Sequence, residues 1–163
     1  MDVVVDKVKS YDIRYHNFLN PEKLMIVTLK LNKNNSLTAS DSEGLITNFD
    51  ASKSHGGTGV GSSPMVVMLE AMAACSFLDV LSIIKKKRKQ VDDLQIIVDG
   101  KRAEEHPKVY ETVHLHFILT SPDAEQNDLE RAMELSQTKY CGASAMFQRS
   151  GCKVSWDGEI KKA

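Results

Sequence analysis

The stretch SSPMVVMLEAMAACSFLDVLSIIKKKRKQ, residues 62–90, constrains this chain more than any other. From Pro64 to Ile84 almost every side chain is apolar or small, which is the pattern of a helix without a solvent face. Ser63 can serve as N-cap and Pro64 suits the first helical position. Lys85, Lys86, Lys87, Arg88 and Lys89 put cations at the end that the helix dipole favours. The length would also allow a membrane span. Against that, Glu70 and Asp79 would each cost roughly 2.5–3.5 kcal/mol at the bilayer centre, and the chain offers no second span to shelter them. The expectation is a core helix over 64–89, buried on nearly all sides. The basic run then reads as its solvated end and not as a nucleic-acid patch.

Such a helix needs cover, and the flanking sequence reads mostly as strand. Residues 24–31, 36–40, 45–50, 94–98 and 109–119 carry β-branched and aromatic side chains at strand lengths. NKNN at 32–35, DSEG at 41–44 and DGK at 99–101 read as the turns of hairpins. After Ser121–Pro122 a second helix is expected, with Leu129, Ala132, Met133, Ser136 and Tyr140 on one stripe, stopping near Cys141–Gly142. A short helix over 143–148 and an alternating strand over 152–160 follow. The whole predicts an α+β fold.

The chain has 163 residues, 42% apolar and 26% charged, enough for one domain with a real core. We therefore expect a single domain over 1–163: a strand-rich segment over 1–58, the central helix over 64–89, and strands and helices over 94–160. The net charge of −1 gives no reason to expect nucleic acid or an anionic membrane as partner. The opening MDVVVDK lacks the basic start and apolar core of a secretory signal, and three cysteines make a poor disulfide framework. A cytoplasmic protein with reduced thiols is expected.

Two weaker signals point elsewhere. His114 and His116 lie on one face of a strand, where an H-x-H pair can hold zinc or iron, but two further ligands would be needed. A polar sheet face is the plainer reading. The run HGGTGVGSSP before a helix start resembles the beginning of a phosphate site. It lacks the G-x-x-x-x-G-K-[ST] lysine, and its helix is followed by a basic run instead of a strand that ends in an acidic residue about 20 residues on. A flexible lead-in is preferred, and neither a metal nor a cofactor is expected.

Cysteines are the remaining source of chemistry. Cys75 has Ala71, Ala73, Ala74 and Ser76 around it, so little bulk shields its sulfur. Cys141 sits between two helices, where free N–H groups at a helix start stabilise a thiolate. Cys152, at the edge of the last strand, has no such feature. Spacing alone leaves both packing and reactivity open for each.

Pro64 followed by Cys75, then YETVHLHFIL, then LSQTKYCGASAMF resembles, in content and order, the OsmC/Ohr family of organic hydroperoxide reductases. The likeness runs from about Gly59 to Trp156. It implies an OsmC-like fold, strand-rich sheets wrapped around a long central helix in an intertwined homodimer. It further implies a dithiol-dependent peroxidase of the oxidative-stress response, with Cys75 as peroxidatic and Cys141 as resolving cysteine. Its partners would be an organic hydroperoxide and a dithiol reductant, a lipoylated protein being one candidate. No cofactor is implied. The alternative within the same fold is a small-molecule-binding or redox-sensing protein with little turnover.

Members that act as peroxidases carry a Pro-Glu pair whose glutamate holds an arginine beside the thiolate. Here Met65 follows Pro64, Glu70 lies elsewhere around the helix, and Arg14 is the one N-terminal candidate for the cation. Asp79 stands one turn beyond Cys75 and would oppose a thiolate if it faces the sulfur.

Overall fold

The computed structural model describes residues 25–33 and 35–162, which form two compact units dividing at Ser63 and Pro64. Arg14 lies outside the described residues.

The first unit is an antiparallel sheet of β1 (Val27–Leu31), β2 (Leu37–Asp41) and β3 (Ile46–Phe49). The expected turns at 32–35 and 41–44 are where they should be. Asp41 makes the second one: its Oδ1 accepts the N–H groups of Glu43 and Leu45, each at 2.9 Å. Leu29, Leu31, Leu45 and Ile46 are all exposed.

The glycine-rich run after β3 proves to be built around an internal anion. Buried Asp50 accepts the N–H of Ala51 on Oδ1 at 2.7 Å. On Oδ2 it accepts the N–H groups of Thr58, Gly59 and Val60 at 2.8, 2.7 and 3.2 Å and the Thr58 hydroxyl at 2.9 Å. Gly59 has a φ of 82°, a conformation that frees successive amides to converge on one oxygen. Burial works against the charge, but the Thr58 hydroxyl and the three amides outweigh it and hold the carboxyl at about 2. The amides that suggested a phosphate loop are spent on the protein's own carboxylate.

The second unit starts with α1 (Pro64–Lys86), followed by β4 (Asp93–Arg102), β5 (Tyr110–Thr120), α2 (Gln126–Leu135), a π turn (Ser136–Tyr140), α3 (Gly142–Arg149) and β6 (Lys153–Lys161). β5 is the centre of the second sheet, antiparallel to β4 and parallel to β6. From Val113 onward it alternates: Val113, Leu115, Phe117 and Leu119 are buried, while His114 and His116 face the other way. Met72, Val80 and Ile84 of α1, Leu129, Ala132 and Met133 of α2, and Phe147 of α3 complete the core with them.

Three expectations need correction. DGK at 99–101 is not a turn; β4 runs through it to Arg102. Gly100 is there for close approach, because a Cβ would lie 2.7 Å from Cε1 of the Tyr110 ring and 3.0 Å from Cδ1 of Leu69. Tyr140 leaves the stripe of α2 and is 52% exposed, because the π turn rotates the chain out of α-helical register before it reaches that residue. Finally, α1 ends at Lys86, short of the expected Lys89, and within a single chain it is covered along one stripe. Its buried residues are Met72, Ser76, Val80 and Ile84, one stripe at four-residue spacing, and Val66, Met68 and Leu78 stay exposed. Among the described residues it is the one helix long and apolar enough to cross a membrane. In this fold it packs on β4, α2, α3 and the π turn.

The basic end of α1 has structural work beyond solvation. Arg88 adopts φ of 61°, reversing the chain, while Lys87 pairs with Asp128 at 2.9 Å and Lys89 donates to the Asp123 carbonyl at 2.7 Å. The Lys87 hydrogen bond, helped by the Glu125 N–H, holds the Asp128 carboxyl below the usual carboxylate range. These contacts fasten the start of α2 to α1, and α2 leads into the site.

Candidate functional site

The site is assembled from the middle of α1 and the break between the π turn and α3. Cys75, Ser76 and Asp79 come from α1, where residues four apart share a face. After α2 the π turn brings Ser136 and Gln137 inward, 0% and 2% exposed, although both are polar. Cys141 then takes an extended conformation, its N–H donating to the Ser136 carbonyl at 2.8 Å, and caps α3.

All three cysteines are free thiols. The sulfurs of Cys75 and Cys141 and a carboxylate oxygen of Asp79 lie within 4.8 Å of one another. The helix-start position expected of Cys141 is realised: its Sγ accepts the N–H of Ser144 at 3.3 Å. It also accepts the Ser76 hydroxyl at 3.3 Å, which in turn accepts Gln137 Nε2 at 2.9 Å. Gln148 Nε2 braces the set by donating to the Ser144 hydroxyl and the Gln137 carbonyl, both at 3.0 Å. Ser136 donates to Asp79 Oδ2 at 3.1 Å. Gln137 Oε1 is buried without a partner among the described residues.

Burial pushes the Cys141 thiol up; the bonds from Ser76 and Ser144 pull it back, and the neighbouring Cys75 adds to the rise. Cys141 therefore holds its proton more tightly than a free thiol. Cys75 is half-buried and is the sulfur that a small molecule can reach more easily. Cys152 packs among the core residues, and burial raises its thiol too.

Asp79 does face the two sulfurs, and among the described residues no lysine or arginine forms an ion pair with it. Glu70 is exposed on α1. At the position following Pro64, Met65 lines an open, mainly apolar cavity of about 630 Å³. Met68, Ala71, Ala143, Met146 and Phe147 line it as well, with Arg102, His106 and Lys108 among its polar residues. Ala71 is one helical turn before Cys75 and Ala143 two residues beyond Cys141, so the cavity is walled by the two elements that carry the thiols.

His114 and His116 are occupied across the sheet. His114 Nδ1 bonds the Ser155 hydroxyl at 2.9 Å, and His116 Nδ1 lies 2.5 Å from Asp157 Oδ1. That bond from His116 lowers the Asp157 carboxyl. Among the described residues the one group of three side chains spaced to share a metal ion is Cys75, Asp79 and Cys141.

Sequence reasoning singled out Cys75, Cys141 and Asp79 but missed Ser76, Ser136, Gln137 and Ser144. The available signal was the adjacent pair Ser136–Gln137 on an otherwise apolar helical stripe, since buried polar groups are kept where they are hydrogen-bonded.

The family model for OsmC-like proteins matches residues 56–157. Over 88 residues the chain is 38% identical to Protein YhfA of Escherichia coli, which is 54% of this chain; it spans 66% of the length of that relative. The solved structure of a hypothetical protein from Aquifex aeolicus superposes with a TM-score of 0.69 at 32% identity, covering 85% of this chain and 98% of the other. An organic hydroperoxide resistance protein OsmC from Legionella pneumophila shares the fold at 16% identity and a TM-score of 0.64, covering 84% and 97%. The family model covers more than half of the chain, and the chain belongs to the OsmC-like protein family.

Proposed function

We propose that this protein is a thiol-dependent peroxidase that reduces organic hydroperoxides to alcohols. Family membership supports peroxide-related redox chemistry in general, and the observation that carries the specific reading is the pair of free sulfurs within 4.8 Å of each other, on the two elements that also wall an apolar cavity. The Cys75 thiolate attacks the terminal peroxide oxygen, the O–O bond breaks, and the departing alkoxide takes a proton to become the alcohol. Cys75 is left as a sulfenic acid. Cys141 then attacks that sulfur, its thiol proton leaving with the hydroxyl as water, and a Cys75–Cys141 disulfide forms. An external dithiol, a lipoylated protein being one candidate, restores both thiols by exchange. Arg14, which lies outside the described residues, is the catalytic cation proposed from the sequence.

Met65, Met68, Met146 and Phe147 supply the wall that desolvates an alkyl or aryl tail. Of the other apolar residues near Cys75 on α1, Met72 is core, and Leu69 and Phe77 pack against the core. Bulky organic peroxides are thus favoured over hydrogen peroxide.

The working form in this reading is a homodimer of one OsmC-like domain over 1–163, in the cytoplasm where thiols stay reduced. Support comes from the exposed Val66, Met68 and Leu78 of α1 and Leu29, Leu31 and Ile46 of the first sheet, apolar surface that a second copy would cover.

One observation favours a second reading. Asp79 stands beside both sulfurs, and among the described residues no lysine or arginine pairs with it there, an arrangement that suits a redox sensor or small-molecule binder with little turnover.

Peptide mapping after one equivalent of cumene hydroperoxide separates the two. A Cys75–Cys141 disulfide, with peroxide consumed repeatedly in the presence of a dithiol, is the expected result. Cys75→Ser should stop consumption, Cys141→Ser should allow one turnover and accumulate sulfenic acid, and Cys152→Ser should behave as the parent. A single oxidation without turnover supports the sensor; unmodified Cys75 after excess peroxide sinks both.

A further inference from the structure

We propose that Cys75, Asp79 and Cys141 form a binding site for a thiophilic divalent cation of the zinc class. The inference does not depend on peroxide turnover. Three donors of the right kind converge there from two separate parts of the chain, all within 4.8 Å of one another. A tetrahedral zinc, with bonds of about 2.3 Å to sulfur and about 2.0–2.2 Å to oxygen, needs donors spaced roughly 3.4–3.8 Å apart. Side-chain adjustments of about an ångström close that difference.

The surroundings fit a ligand set. Cys75 and Asp79 are one turn apart on a rigid helix, and Cys141 is fixed by the chain break that starts α3. The Ser136 hydroxyl orients the Asp79 carboxylate at 3.1 Å, while Ser76 and the Ser144 N–H aim at the Cys141 sulfur, both at 3.3 Å. Such outer hydrogen bonds hold ligands in place around a metal. The charge pattern also makes sense. A carboxylate and two sulfurs are donors that a divalent cation draws together. Two sulfurs and one oxygen favour zinc over magnesium or calcium, which take oxygen ligands. Both thiols would bind as thiolates, their protons passing to solvent, and the fourth position would go to an exchangeable ligand such as water. Asp79 opens on a cleft of about 350 Å³ and Cys141 on one of about 500 Å³, with Tyr140 lining both, so an ion has routes to the donors.

The test is a cobalt titration of the reduced full-length protein without oxygen, followed by zinc competition against a chromophoric chelator. One cobalt per chain, with a strong sulfur-to-cobalt charge-transfer band that zinc abolishes, is the expected result. Cys75→Ser and Cys141→Ser should each weaken zinc binding by more than about 100-fold, and Asp79→Asn by about 10–100-fold. Cys152→Ser and the paired change His114→Ala with His116→Ala should bind as the parent does. Absence of the charge-transfer band in the parent overturns the site. So does full-strength binding by Asp79→Asn, or loss of binding in the Cys152 or histidine variants. Peroxide consumption measured on metal-free protein is a separate readout, so either proposal can fail alone.

Discussion

Asp50 and Asp79 show two opposite uses of one side chain. Asp50 accepts five hydrogen bonds, four from backbone amides and one from Thr58, so its charge is consumed in shaping the loop over 51–60. Asp79 accepts one bond, from Ser136, and otherwise faces two sulfurs. The first carboxylate is finished business within its own unit. The second keeps unspent charge at the spot where the chain also keeps its reactive atoms. Proximity to glycine or to cysteine is therefore a poor guide to a site; what matters is whether the polar groups have already been used up by the fold.

The sharpest way to break this contrast is Asp50→Ala. Loss of the common acceptor should release the loop, and trypsin cleavage after the exposed Lys53 should accelerate by about tenfold or more. Unchanged digestion would mean that the loop holds its shape without the anion. Asp79→Asn should leave digestion alone and act on chemistry instead. With a negative charge removed beside the sulfur, alkylation of Cys75 by anionic iodoacetate should quicken about three- to tenfold relative to neutral iodoacetamide; an unchanged ratio would show that the carboxylate does not face the sulfur.

Smaller effects refine the site. Ser76→Ala removes a hydrogen bond of about 1 kcal/mol from Cys141, so the thiol, already raised by burial, should rise further and its alkylation at fixed pH should fall a few-fold. Mass-spectrometric rates for that one peptide would show it. The smallest change is expected on acidifying the Asp50 loop. Its carboxyl is depressed from an ordinary value of 3.8 to about 2, so the stabilisation is complete above about 4 and disappears as pH falls through about 2. Carbon-detected NMR of the Asp50 carboxyl should be flat between pH 7 and 4; a midpoint near 4 would mean that the cage is loose in solution.

The strand and helix order was largely readable because alternation on β5 and the uninterrupted apolar run of α1 are strong local patterns. The failures come from what local patterns do not carry. Gly100 looks like a turn residue until the Tyr110 ring is placed against it, and Tyr140 looks like core until a π turn shifts its register. Neither contact has a signature within a few residues of sequence.

By itself the sequence determined the elements, the family resemblance and the two cysteines worth watching, since each is written in residue type and spacing along one segment. Tertiary structure alone decided that Asp79 joins the two sulfurs, that Gln137 and Ser76 form a chain to Cys141, and that Cys152 belongs to the core. It also decided that the glycine run closes on Asp50 and the H-x-H pair on Ser155 and Asp157. The physical reason is range. Propensity and periodicity act between neighbours in the chain. A hydrogen bond or a ligand set joins whatever the packed core brings within a few ångströms, however far apart the residues stand in sequence.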